Sequence, residues 1–388
     1  MIGADTRLLS TVGLLRARDL YGDRMLWTGD DWAPATVGPP VHADLLRVET
    51  ADGRAVLVGP ETHLLAIGAT AYGYRLAREL RAQEPLAGPL TADSALPGWP
   101  GVAMAYWFGA IAVAGKLDLA AKTVAVSVHA PRAPRADVAT QLARLQRNER
   151  IGAHAVRFTP RLDVLLTRRR LIDILDSWGM CVGVGVGVGV GVGAHVPAGL
   201  WTTSGYTRKV FCRGLLDAIV PPNNQVKTWR LPCQTPQAAA EVAFLFATVG
   251  VPVVQQEGAV LVTRWLASLE LGTSTPRPSR VDVTASAAVR VHQDGELAFL
   301  NHPRRARNLR VPAVVQKLIT EGLPIHPAYL RAAWAAIGRR PAMPVFDALR
   351  VFSVRTTTRD ELGVEIAVHH GDVGIAANGL IVRQDQLH

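Results

Sequence analysis

The sequence predicts a mixed fold in which β-rich segments at both ends enclose a duplicated α/β centre. Residues 1–68 alternate short apolar segments with turn signals, and residues 345–382 return to the same β-type alternation. Between them, a pattern of apolar helix, strand and second helix occurs twice, about 100 residues apart. A chain of 388 residues is long enough for two or three domains, and 49% apolar residues exclude wholesale disorder.

The β-rich start is followed by a predicted domain boundary. Residues 45–58 are typical of a β-hairpin, because Asp52-Gly53 separates two alternating runs. Residues 84–100 contain four prolines, which interrupt both helices and strands. We therefore assign 1–90 to the β-rich start, 91–300 to the α/β centre, 301–344 to a basic Arg/Pro-rich linker or accessory segment, and 345–388 to the β-rich end.

The first pseudo-repeat of the centre covers about residues 101–180. Its apolar run at 101–115 is shorter than the roughly 20 residues that a membrane span needs, so we expect a buried helix and no membrane partner. A strand is predicted at 123–128 and a polar helix at 135–149.

The second pseudo-repeat covers about residues 195–300. It predicts a helix at 210–218, a strand at 225–231 and a further helix with Thr235 as N-cap and Pro236 in its first position. Val-Gly repeats at 182–193 separate the two halves, and we interpret them as an insertion tolerated in a loop.

The charge balance favours a polyanionic partner. Lys+Arg 42 against Asp+Glu 32 gives a net charge of +10, and almost all of the cations are arginine. The three cysteines form no C-x-x-C pair, which speaks against a disulfide framework or a structural zinc site. The N-terminus has no signal-peptide pattern, so we expect a cytoplasmic protein.

Short motifs at both ends resemble the splicing blocks of inteins. Ala4–Leu9 is similar to the first block, Gly59–Leu65 to the second, which keeps its histidine as His63, and residues 364–382 to the closing blocks. In the centre, Trp107–Gly115 and Phe211–Ala218 resemble the two LAGLIDADG helices of a homing endonuclease. The order of these motifs resembles that of a large intein. The resemblance implies a Hint-like β domain formed by both termini, plus an inserted, duplicated LAGLIDADG-type domain.

The splicing positions that the resemblance implies carry unsuitable residues. Splicing begins with a cysteine or serine at the first position, where this chain has Met1, whose thioether has no proton to lose. It ends with a histidine-assisted asparagine, and the matching positions are Arg383 and Gln384. Arginine stays protonated and glutamine cyclises more slowly, so we expect splicing to be lost and His63 to be structural rather than catalytic.

The endonuclease positions are also vacated. In the family, one acidic residue at the end of each LAGLIDADG helix holds divalent metal, and the matching residues here are Ala114 and Ile219. Asp118 and Asp217 lie nearby as displaced carboxylates, and Mg²⁺ is expected only if they restore cleavage. The two helices should cross at a seam of small residues, and the predicted seam is Gly109, Ala112, Gly214 and Ala218.

Double-stranded DNA binding is the activity that could remain. In the family, the strands of each half lie on DNA, which here suggests a strand with Lys122, Val124 and Val126 and a strand with Lys227, Trp229 and Arg230. Further basic candidates are Arg168, Arg169, Arg170, Arg304, Arg305, Arg307 and Arg310. For any one of these clusters, a solvated basic surface is an equally good interpretation. We expect a monomer with an internal pseudo-twofold repeat.

Three functions are compatible with these sequence features. The leading hypothesis is a degenerate intein-like protein that has lost splicing and DNA cleavage. The alternatives are a DNA-binding regulator adopted by its host, which would bind a specific sequence tightly, and an active metal-dependent homing endonuclease that uses Asp118 or Asp217.

Overall fold

The computed structural model describes residues 1–29, 31–68, 71–89, 102–118, 121, 123–128, 143, 146–147, 152–157, 162–167, 173, 175, 196–219, 228–263, 330–331, 334, 346–357, 361–369 and 374–384. Within these residues, the α-helices with described bounds are α1 (Val102–Ala114), α2 (Gly205–Ala218) and α3 (Pro236–Thr248). Its strands are β1 (Ile2–Gly3), β2 (Arg7–Ser10), β3 (Gly13–Arg16), β4 (Gly22–Trp27), β5 (Trp32–Val37), β6 (Val41–Ala43), β7 (Leu46–Thr50), β8 (Ala55–Val58), β9 (His63–Ile67), β10 (Tyr72–Leu76), β11 (Pro85–Gly88), β12 (Gly115–Asp118), β13 (Thr123–Val128), β14 (Gly152–Arg157), β15 (Leu162–Thr167), β16 (Thr228–Pro232), β17 (Val253–Gln256), β18 (Ala259–Thr263), β19 (Asp347–Thr356), β20 (Glu361–Val364), β21 (Ile366–Val368), β22 (Ile375–Ala377) and β23 (Leu380–Arg383).

The chain divides into two units, residues 1–92 with 277–388 (the first unit) and residues 93–276 (the second unit). The four-part division predicted from the sequence stays a prediction, since residues 264–329 lie outside the described part. No helix in the described part of the chain is long and apolar enough to cross a bilayer.

The first unit is a β-rich domain to which both ends of the chain contribute strands. Strand β1 pairs antiparallel with β20 through Ile2 and Val364, and β9 pairs with β23 through Leu64 and Val382. The predicted hairpin is present as β7 and β8, where Gly53 has the positive φ of 86° that its tight turn requires. The expectation of a β-rich domain is confirmed at this level.

The last hairpin is tied to the beginning of the chain by side chains. Asn378 and Gly379 form its turn with φ angles of 48° and 82°, as a two-residue hairpin turn demands. The Asn378 Oδ1 atom accepts from the Arg7 amide at 2.7 Å, and its Nδ2 donates to the Ala55 carbonyl at 2.9 Å. The buried Arg54 donates to the Gly379 carbonyl at 2.9 Å.

The described part of the second unit contains a four-stranded sheet after one helix and a three-stranded sheet after another. In the first half, α1 leads through β12 to a sheet of order β12-β13-β15-β14, and in the second half α2 precedes a sheet of order β16-β18-β17. In both, the strand that follows the helix pairs with a later strand of the same half. Helix α2 begins earlier than predicted, because Ser204 caps it by accepting from the Thr207 amide. Thr235 caps α3 and Pro236 starts it, which confirms that prediction.

Candidate functional site

Helices α1 and α2 cross in direct backbone contact at two glycines. A Cβ atom on Gly109 would overlap the Phe211 carbonyl oxygen and lie 2.9 Å from the Leu215 nitrogen. A Cβ atom on Gly214 would likewise overlap the Tyr106 carbonyl oxygen. Only glycine permits so close an approach, so these two predicted seam residues lie at the crossing itself.

The crossing is pseudo-symmetric in sequence as well as in space. The same interval along the chain separates Gly109 from Gly214, Tyr106 from Phe211, and Ala110 from Leu215. The other predicted seam residues, Ala112 and Ala218, are buried. By the same interval Ala112 on α1 is the counterpart of Asp217 on α2. At this pair of equivalent positions, therefore, only α2 carries a carboxylate.

Asp217 bonds across the crossing to the opposite helix. The Tyr106 hydroxyl donates to its Oδ2 atom at 3.0 Å, and the Arg213 Nε atom lies 3.7 Å from the same oxygen. Burial raises the pKa of Asp217 to about 6, against the opposing effects of Arg213 and the Tyr106 hydrogen bond. The Asp217 side chain therefore links the two helices through its hydrogen bond with Tyr106. With a pKa of about 6, a substantial fraction of this carboxyl is protonated below neutral pH.

The positions that the resemblance matches to the endonuclease metal ligands do not fit a Mg²⁺ site. Ala114 ends α1 and Ile219 follows α2, and neither side chain has an oxygen ligand. Asp118 is exposed at the end of β12, where its Oδ1 atom accepts from the Ala121 amide in the hairpin turn at 2.9 Å. Within the described ranges, no group of three or more His, Cys, Asp or Glu side chains could hold a metal ion.

The outward faces of the two sheets carry different residues from those expected. Val124 and Val126 are buried, because alternation along β13 turns them inward and leaves Ala125 exposed. Their predicted DNA contact is therefore wrong. In the other half, Arg230 is exposed on β16 opposite Leu261, and its contact with DNA stays a prediction. The candidates that lie outside the described residues are Lys122, Lys227, Arg168, Arg169, Arg170, Arg304, Arg305, Arg307 and Arg310.

The first residue of the chain is held in the first unit by Thr62. The Met1 amino group donates to the Thr62 hydroxyl at 3.1 Å, and that hydroxyl donates to the Met1 carbonyl at 2.8 Å. The Gly59 amide donates to the same carbonyl at 2.8 Å. Burial lowers the pKa of this amino group to about 6, and the charge of Glu365 partly opposes that shift.

Gln384 contacts the same segment of chain as Met1. Its Oε1 atom accepts from the Ile366 amide at 2.9 Å and its Nε2 donates to the Val364 carbonyl at 3.4 Å, while Met1 packs on Gly363. Arg383 lies opposite His63 in the β9–β23 pair, and its guanidinium stacks on the Tyr74 ring at 4.3 Å. Met1 and Gln384, the positions matched to the two ends of the splicing motif, therefore both meet residues 363–366.

Thr62, Tyr106 and Arg213 were not predicted as site residues from the sequence, although Arg213 lies one helical turn before Asp217. Thr62 directly precedes His63 in the second splicing-like block, and its position was the signal that could have found it. Tyr106 has no such signal, because its bond to Asp217 exists only once the two helices cross.

Comparison with known proteins adds two similar structures. No family model matches the sequence, and no curated protein matches it. The chain is similar to a mutant of the Ssp DnaB mini-intein, with 19% identity and a TM-score of 0.20 over 24% of this chain and 65% of the mini-intein, which is less than two thirds of its length. It is also similar to full-length DUF199/WhiA from Thermatoga maritima, with 11% identity and a TM-score of 0.28 over 64% of this chain and 96% of that one. At such TM-scores neither likeness assigns a function to this chain.

Proposed function

We propose that this chain is an intein-like protein that performs neither splicing nor DNA cleavage and that binds double-stranded DNA through its second unit. The observation that carries the proposal is the crossing of α1 and α2 at Gly109 and Gly214. Each helix there belongs to a half with its own antiparallel sheet, and equivalent residues keep one sequence interval. A domain of two similar halves suits a duplex, whose backbone presents similar phosphates on both sides of a site.

The outward sheet faces have the side chains for backbone contacts. Lys116 on β12 and Arg230 on β16 are both exposed, and the short, neutral and exposed Ala125 lies directly opposite Lys116 on the neighbouring strand. Cations of this kind bind phosphates without reading bases, so we expect affinity that falls steeply with salt.

Loss of splicing follows from the residues at its two ends. The Met1 thioether cannot form an ester with the preceding acyl group, and Arg383 cannot shuttle a proton. The Gln384 amide is engaged by the backbone of residues 364 and 366.

Loss of cleavage follows from the ligand set. The carboxylate at the crossing, Asp217, is occupied by Tyr106 and Arg213, and its raised pKa further weakens it as a metal ligand.

The test is a selection from a pool of random duplexes at several salt concentrations, with and without Mg²⁺, that scores retention and cutting. We expect salt-sensitive retention without cutting, weaker in Arg230→Gln than in the control Arg24→Gln, which changes an exposed arginine of the first unit. Cut duplexes would refute the loss of cleavage, and no retention at low salt would refute DNA binding. Strong enrichment of one sequence would instead indicate a regulator.

A second experiment tests the intein-like first unit. The triple variant Met1→Cys, Arg383→His and Gln384→Asn, placed between two flanking peptides, should form a thioester or cleave at one junction. A folded triple variant that does neither would contradict the Hint-like assignment.

A further inference from the structure

We propose that the first unit carries a separate binding strip for single-stranded nucleic acid, in which the exposed Phe352 ring stacks on a base and Arg47 and Arg355 contact phosphates. The strip lies on β19 and β7 and does not depend on duplex binding by the second unit.

Phe352 is displayed by an irregularity in β19. The register against β7 shifts between Val351, which opposes Thr50, and Ser353, which opposes Glu49, so Phe352 is the extra residue of a β-bulge. Its side chain is 58% exposed although Val351, beside it, is fully buried. An aromatic ring held out by a rigid sheet offers a stacking platform that every base can use.

Arginines flank this ring along the same strands. Arg355 lies directly opposite Arg47, and both are exposed. Like charges in directly opposed positions destabilise a sheet, and one carboxylate, Glu49, lies beside them. The Arg47 Nε atom is 2.6 Å from a Glu49 carboxylate oxygen. This contact, together with Ser353 and the charge of Arg355, lowers the pKa of the Glu49 carboxyl. The half-buried Arg350 adds a further cation, so the strip keeps a net positive charge.

A surface groove adjoins the bulge. The turn at residues 81–84 bonds to the strand beside Phe352, since the Gln83 amide donates to the Val351 carbonyl at 2.8 Å and the Val351 amide donates to the Glu84 carbonyl at 2.9 Å. This turn lines a groove of about 610 Å³ whose walls include Arg75 and Arg81 as well as Glu79 and Glu84. Gln83 has a positive φ of 72°, which is a strained backbone conformation for a residue other than glycine. Such strained residues occur often at ligand-binding sites.

A single strand fits this chemistry better than a duplex. The bases of a duplex are stacked on one another, whereas those of a single strand are free to stack on an aromatic ring while the phosphates contact arginine. If binding used phosphate contacts alone, the arginines would be sufficient for affinity and removing the Phe352 ring would have no effect. The test therefore measures whether loss of the ring weakens binding.

The experiment is fluorescence anisotropy of the full chain with a labelled oligothymidylate of about 12 nucleotides at low salt. We expect Phe352→Ala to weaken binding by about 5- to 100-fold, and Phe352→Tyr, which keeps the ring, to stay within about 2-fold. Arg355→Gln should reduce the slope of log affinity against log salt by about 0.7. Tyr206→Ala is the matched control, because it removes a 65% exposed ring from the second unit.

The outcomes separate this proposal from the proposed function. Phe352→Ala should keep its duplex binding, and Arg230→Gln should keep its oligothymidylate binding. The proposal is overturned if the oligothymidylate does not bind at low salt, if Phe352→Ala binds it as the parent chain does, or if Phe352→Ala loses duplex and single strand equally. Since the Phe352 ring faces solvent, the alanine variant should fold, and a thermal melt checks this.

Discussion

Replacing Asp217 by asparagine should stabilise the protein at pH 8 and leave its stability nearly unchanged at about pH 4. Burial raises the pKa of this carboxyl from 3.8 to about 6, and its side chain is only 16% exposed. Because the folded pKa lies above the unfolded one, the protonated group favours folding, and that contribution is lost as the pH rises through 6. A difference of this size between the folded and unfolded pKa corresponds to about 3 kcal/mol of unfolding free energy. Asparagine remains neutral and its Oδ1 atom can accept from Tyr106.

The assay is urea unfolding of both chains between about pH 4 and pH 8. The stability difference should be small at the acid end and approach about 3 kcal/mol at the alkaline end. Glu257→Gln is the control, because it neutralises an exposed carboxylate of the same unit. An asparagine variant that is less stable at pH 8 would refute the reasoning, since Arg213 would then stabilise the ionised carboxylate by more than burial costs.

Two further predictions concern close contacts. Gly109→Ala should lower the free energy of unfolding of the second unit by about 3 kcal/mol, because the two helices must separate to admit the new Cβ atom. Gly73→Ala is the control and should cost far less, because nothing lies within 4 Å of its new Cβ atom. Urea unfolding compares the two variants. Asn378→Ala should lower the stability of the folded chain by about 2–3 kcal/mol, because it loses two hydrogen bonds and places alanine at positive φ. Asn378→Gly should recover part of this loss, because glycine tolerates positive φ, and thermal melts compare the two variants. Equal losses in alanine and glycine variants would show that φ plays no part.

Local features of the fold were accessible from sequence because their causes lie within a few residues. The Asp52-Gly53 turn needs only a glycine at positive φ, and the Thr235 cap needs only a hydroxyl three residues before an amide. Strand β13 shows where this reasoning fails. Its alternating residues were identified, but which set faces inward depends on the helices that cover the sheet, and Val124 and Val126 proved to be the buried set.

The sites depend on contacts between distant parts of the chain, and these were only partly accessible. A glycine in each helix suggested a close crossing, and both glycines lie there. The pairing of Tyr106 with Asp217, and of Thr62 with Met1, depends on angles and registers that no local pattern fixes. The bulge at Phe352 has the same origin, since its extra residue exists only relative to the register of β7.

The pairing of β1 with β20 sets an order of events during protein synthesis. Ile2 leaves the ribosome well before its partner Val364 is made, and at about 5–20 residues per second the interval is tens of seconds. The first strands spend that time with unpaired edges, while the described strands of the second unit have already emerged. We therefore expect the second unit to fold first, and the nascent first unit to be the part that most needs a chaperone.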